Sequence, residues 1–282
     1  MNKLLIFIFT IFNFFYVNGQ DKDLKPGQKE FDKGMELYYA KSYDSAIVNF
    51  EKMIKSFPNS ELIGRAKYNI GYIYLETNRN EEAIPVFMEI LNSNFNEKDK
   101  YGGIMEQFTL YKHRSCLNLV EIYLEKKEYK TALNYNKKAE KKYPYSHFHN
   151  REVIDNKIYL ASNYSKIYRG LGDYKKALKY ILPYTFYNRN YIIKDLTECL
   201  DKLYSKGQII SELNKSKKDI VFKNKNFVVV NLFGKRLKVY EDLLYTDLNA
   251  SNSNKYFELK GLDIYKQILE IHPLYTHYLE NK

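Results

Sequence analysis

Tryptophan is absent from these 282 residues, and cysteine occurs only at positions 116 and 199. Two cysteines cannot frame a disulfide scaffold, so apolar burial must hold the fold. Cys116 sits in an apolar helical pattern with Leu119, Val120 and Tyr123, and Cys199 in one with Leu196, Leu200 and Leu203. Both are expected as buried free thiols, with a bridge left open should the compartment oxidise. Catalytic signatures are missing too: no Gly-rich phosphate loop, nucleophile elbow or helical His-Glu-x-x-His occurs. His147-x-His149 with Glu152 is the best metal candidate, but its place in a loop beside Pro144 makes the histidines an incidental pair, and His272 and His277 straddle Pro273. The sequence therefore points to a non-enzyme with no cofactor and no metal.

Long apolar runs are lacking except at the start. Lys3 supplies a positive n-region, Leu4 to Val17 an apolar core, and Val17-Asn18-Gly19 a plausible cleavage site before Gln20-Asp21-Lys22-Asp23. Residues 1–19 thus read as a secretory signal peptide. The core is shorter than the ~20 residues that span a bilayer, so an uncleaved anchor is the weaker alternative. No cysteine stands at the cleavage region, which argues against a lipoprotein. An exported protein, periplasmic or secreted, with no integral membrane segment after signal removal, is the expectation.

Charge of one sign is not concentrated. The formal net charge is +11, yet lysines alternate with acids in runs such as Glu125-Lys126-Lys127-Glu128. Interspersed signs focus no field, so nucleic acid is not the expected partner. Aromatic weight falls instead on 29 Tyr and 17 Phe, rings that suit the half-buried surfaces of stacked helices.

What is present is repetition. Gly34, Leu37, Ala46, Phe50 and Met53 recur as Gly71, Tyr74, Ala83, Phe87 and Ile90, each pair 37 residues apart. Apolar positions in the first copy fall on one helical face (Ala46, Ile47, Phe50, Met53, Ile54, Phe57), and Pro58 ends it. Ser42 is placed to cap the second helix of the first unit, and Asn78 with Glu81 suggests a capping box in the second. Third and fourth units follow over Lys112–Pro144 and Ile158–Pro183, the third lengthened by the apolar stretch 101–111. Alanines 46, 83, 132 and 177 mark the second helices, at spacings of 37, 49 and 45. Residues 191–218 predict a degenerate capping hairpin. After Asp219 the texture turns β-rich, with Gly234-Lys235 as one turn, a polar loop at Asn249–Asn254 and a final helix near Leu262–Ile271.

Helix pairs with small residues on both partners, Tyr before the second helix (Tyr43, Tyr129, Tyr174) and a closing Pro (Pro58, Pro144) resemble tetratricopeptide repeats. The phrase from Tyr43 to Ser60 is similar to repeats of bacterial envelope proteins. The expected fold is mainly α: a solenoid of about four such hairpins plus a capping hairpin over 27–218, and a small α+β module or cap with an antiparallel meander over 219–282. In this family the first helix of each pair lines a concave face that binds a peptide or partner helix. The resemblance places there Phe31, Met35, Tyr38 and Tyr39, then Tyr68, Asn69, Tyr72 and Leu75, then Arg114, Leu117, Asn118 and Glu121. Only Asn69 and Arg114 fit the carboxylate clamp of one subclass, which argues against that mode. The expected function is a protein-binding scaffold of the envelope or periplasm. The alternative is small-molecule or wall-glycan recognition by the C-terminal module, with the repeats as spacer.

Overall fold

A computed structural model describes residues 25–99, 108–187, 190–224, 227–240 and 262–280. The signal segment, residues 101–107 of the lengthened third unit and the loop Asn249–Asn254 lie outside the described residues. The chain is mainly α, in consecutive helix pairs: α1 Gln28–Tyr39 and α2 Tyr43–Ser56, α3 Ile63–Glu76 and α4 Asn80–Asn92, α5 Tyr111–Glu125 and α6 Tyr129–Lys141, α7 Asn150–Gly170 and α8 Tyr174–Ile181. A 3₁₀ turn, Leu182–Tyr187, leads to α9 Asn190–Leu203 and α10 Lys206–Lys218. Strands β1 Val221–Asn224, β2 Phe227–Leu232 and β3 Lys235–Tyr240 precede α11 Leu262–Ile271 and α12 Pro273–Leu279. The described residues divide into two compact units, one of those up to Ile122 with Lys141–Phe148, the other of Tyr123–Glu140 with those from His149 onward.

In the first unit the repeat is steric. Ala46 and Ala83 are fully buried. Gly34 faces the ring of Phe50 and Gly71 that of Phe87. Lacking Cβ atoms, the two glycines let each helix backbone lie on a partner's ring. Phe31, Phe50 and Met53 of the first hairpin share one core with Leu62, Ala66, Ile70 and Ile73 of the next. Such burial is worth roughly 1.5–3 kcal/mol per large apolar side chain.

The turn between paired helices also repeats. Lys41, Asn78 and Lys127 take φ of 57°, 58° and 57°, and Gly172 takes 78°. Each stands five residues before a buried alanine, 46, 83, 132 or 177. The residue after each donates its N–H back to the first helix: Ser42 to Leu37 O at 2.9 Å, Arg79 to Tyr74 O at 2.7 Å, Glu128 to Tyr123 O and Asp173 to Tyr168 O both at 2.8 Å. These are Schellman-type closures around a left-handed residue. Asn78 therefore belongs to the turn, and the expected capping box with Glu81 does not form; α4 begins at Asn80 without a side-chain cap. Ser42 makes no cap bond either, with its backbone at ψ 63°. In the same place the longer Asp173 side chain, at ψ 70°, accepts from Lys176 N.

In the second unit the fourth hairpin and the described elements after it share one core. Ile158, Ala177, Leu196, Leu200, Ile209 and Leu213 bury with Val228, Val230 and Val239 of the sheet and with Tyr265, Leu269 and Tyr275. The strands run β1-β2-β3, antiparallel throughout. Leu232 pairs with Lys235, so the two-residue turn is Phe233-Gly234, one residue earlier than expected. A Ser205–Gln208 capping box starts α10, and Pro273 opens α12 at its first turn with His272 as the N-cap. Cys116 and Cys199 are each buried as free thiols.

Candidate functional site

The first helices of the initial three pairs supply the expected face, all of it within the first unit. Its start on α5 is set from a distance. Glu97, in the loop after α4, accepts from Lys112 N at 2.8 Å and His113 N at 2.9 Å, so its carboxylate meets two of the orphan donors of the α5 terminus. Burial pushes the Glu97 carboxyl above its ordinary range, against the lowering pull of those two backbone bonds. The buried His113 ring is held through Nδ1 at 2.7 Å from Tyr143 O.

Polar contacts link neighbouring first helices. Asn69 Nδ2 donates to the Met35 thioether at 3.1 Å, joining α1 to α3. One repeat on, Asn118 Nδ2 donates to the Tyr68 hydroxyl at 3.3 Å, joining α3 to α5. Both asparagines stand two residues before the small position of their unit, Gly71 or Val120. The Tyr68 ring lies 6.5 Å from Tyr72, 6.1 Å from Phe87 and 5.9 Å from Tyr111. It is half-buried and largely committed to packing.

At the far end of α1, the Tyr38 hydroxyl donates to Glu76 Oε2 at 2.8 Å and the Tyr43 hydroxyl to Oε1 at 3.3 Å. The two rings are 6.0 Å apart. Burial, followed by the Glu76 carboxylate, raises the Tyr38 phenol far above its ordinary value, so it stays a donor across the physiological range. Arg79 adds a second tie, donating from Nη1 to Asp44 at 2.7 Å while its guanidinium lies 4.5 Å above the Tyr74 ring.

These contacts sort the expected site residues. Tyr39 is 73% exposed and Tyr72 45%. Met35, Asn69, Leu75, Arg114, Leu117 and Asn118 are half-buried and Glu121 is exposed. Tyr38 is half-buried and engaged with Glu76. Phe31 is a correction: at 2% exposure, with its ring 5.5 Å from Phe50 and under the Arg65 guanidinium, it packs the first hairpin and offers nothing to a partner. The Glu76 and Glu97 roles were not read from the sequence. Glu76 reaches back to the preceding hairpin and Glu97 across the loop to α5, each a single carboxylate with no spacing to mark it.

Elsewhere, His147 stacks between Tyr145 and Phe148, at 6.2 and 4.7 Å. Among the described residues no group of three His, Cys, Asp or Glu is placed to hold a metal ion. No described helix is long and apolar enough to cross a membrane.

A model of the tetratricopeptide repeat matches residues 64–97, the span of α3, α4 and the loop that carries Glu97. With the paired helices on either side, this match supports a tetratricopeptide repeat protein. No curated protein matches the sequence significantly.

Proposed function

We propose that the chain is a non-catalytic, protein-binding scaffold that grips an extended peptide or a partner helix on the face of α1, α3 and α5. Tetratricopeptide repeats generally mediate protein–protein interaction, and the match over 64–97 supports that class. The observation that carries the reading is the exposure of two large rings on that face, Tyr39 and Tyr72, beside the half-buried amides of Asn69 and Asn118. Large rings anchor apolar side chains at low entropic cost, while side-chain amides reach a peptide backbone. The signal-like residues 1–19 support export, with the partner then in the periplasm or outside the cell.

A photo-crosslinking residue at position 72 tests the face, with position 52 on the exposed side of α2 as control. The reading expects one dominant adduct from 72 that Tyr39→Ala abolishes. Equal labelling from both positions would count against it. Mass spectrometry of the native N-terminus tests export, which requires a chain beginning near Gln20.

A further inference from the structure

We propose that the second unit holds a binding site for a small amphipathic carboxylate, formed where α8, the end of α9 and the β2–β3 turn meet. This goes beyond the scaffold reading, which concerns the first unit alone. The site is a cavity of about 220 Å³, smaller than the ~300–1,000 Å³ typical of drug-sized ligands. Leu178, Leu182 and Leu203 form its apolar wall, and Tyr204 and Phe233 its aromatic one. Lys175, Lys179 and Lys235 complete the lining, which contains no carboxylate.

Two features of this arrangement work against the fold when the cavity is considered without a ligand. Lys175 and Lys179 stand four residues apart on the eight-residue α8, a like-charge spacing that weakens a helix. Lys235, from a distant part of the chain, adds a third positive charge to the same lining. All three lysine side chains are exposed, and an anion seated among them would relieve the repulsion.

The second feature is the turn. Phe233 and Gly234 take φ of 46° and 73°, the pattern of a type I′ hairpin turn, whose preferred first residue is Asn, Asp or Gly. A bulky aromatic there is a backbone outlier. It is held by the Glu212 carboxylate, which accepts from Phe233 N at 2.9 Å, and by stacking on Tyr204 at 5.0 Å. The turn thus keeps an unfavourable residue whose ring walls the cavity, the kind of outlier that marks a binding site. An apolar body with one negative end satisfies both wall and lysines.

Calorimetric titration of the full chain with 3-phenylpropionate, 3-phenyl-1-propanol and 3-phenylpropylamine tests the site. The acid should bind at least about ten-fold tighter than the alcohol, and the amine should not bind. Lys179→Gln with Lys235→Gln should abolish that preference, and Phe233→Gly, which keeps a turn-compatible residue, should weaken acid and alcohol together. Equal binding of acid and alcohol, no binding of either, or unchanged affinity in these variants would overturn the proposal. None of these results bears on crosslinking at position 72.

Discussion

Gly71 lies against the ring of Phe87 so closely that a Cβ there would stand 2.8 Å from Cε1, as one on Gly34 would stand 2.5 Å from Cε1 of Phe50. Alanine normally improves a helix by roughly 1 kcal/mol over glycine. Here both rings are fully buried and have no open side to move into. Overpacking costs roughly 1–3 kcal/mol, so Gly71→Ala and Gly34→Ala are each expected to lower stability in urea denaturation. A rise in the unfolding midpoint would show that the rings can yield.

Replacing the left-handed lysines should do the opposite. Lys41 and Lys127 hold φ near 57°, a region that costs an ordinary residue roughly 1–2 kcal/mol. Gly172 fills the same place in the fourth hairpin. Lys127→Gly, and separately Lys41→Gly, should stabilise by about 0.5–1 kcal/mol after the added flexibility of the unfolded chain is counted. Thermal melting resolves this, since both side chains are exposed and little packing is lost.

His272 makes the second unit sensitive to acid. Its Nδ1 accepts from Leu274 N at 3.3 Å and its Nε2 faces Thr185 O at 3.0 Å, an arrangement only the neutral ring can hold. Burial pushes its pKa down to about 4 from 6.5, outweighing the raising effect of the Thr185 bond. Between those values the unfolded chain binds the proton and the native one does not. Stability from this group is therefore complete above about pH 6.5 and is lost as pH falls toward 4, about 3 kcal/mol in all. His272→Asn keeps an N-cap acceptor and should flatten that part of the stability–pH curve. An unchanged slope would assign the acid sensitivity to other groups.

Asp195 is the buried hub between α7 and α9. Its carboxylate accepts from Ser162 Oγ at 2.7 Å and pairs with Arg169, which also pairs with Glu198. Burial raises the Asp195 pKa despite the lowering effects of Ser162 and Arg169, a sign that the charge is held at a cost. Asp195→Ala would deprive Arg169 of its buried partner, and removing one member of such a pair costs roughly 3–5 kcal/mol. Replacing Arg169 and Asp195 together by apolar residues should recover much of that loss. A double variant as unstable as the single one would indicate that Ser162 and Glu198 carry the contact.

The repeat was legible because its cause is local and steric: glycine against phenylalanine and alanine against a helix leave a fixed spacing in the chain. Helices α1 to α4 and α6 begin within a few residues of the expected places for that reason. Helix α5 begins only at Tyr111: residues 108–110 are not helical and Leu110 takes φ of 47°, so the expected lengthening over 101–111 does not run into it. The caps were less legible, since Ser42 and Asp173 occupy equivalent backbone positions and only side-chain length decides which one bonds. The turn at Phe233-Gly234 was misplaced by one residue because its first position breaks the usual residue preference. Helix α12 was missed although Pro273 is a start signal, because the buried His272 cap depends on Thr185 far away in sequence. On the candidate face, the resemblance placed Phe31 with Tyr39 and Tyr72, but only packing distinguishes a ring under Arg65 from two rings left in water.

The sheet and last two helices close over the apolar flank of α8, α9 and α10, and this limits how such a chain can lengthen. A further hairpin inserted between the first two would meet the apolar surface they share, Phe31, Phe50 and Met53 on one side and Leu62, Ala66, Ile70 and Ile73 on the other. Appended after Lys218, it would find that flank already occupied by Val228, Val230 and Tyr275 and would have to displace them. Growth by duplication is thus open between those hairpins and shut at this boundary.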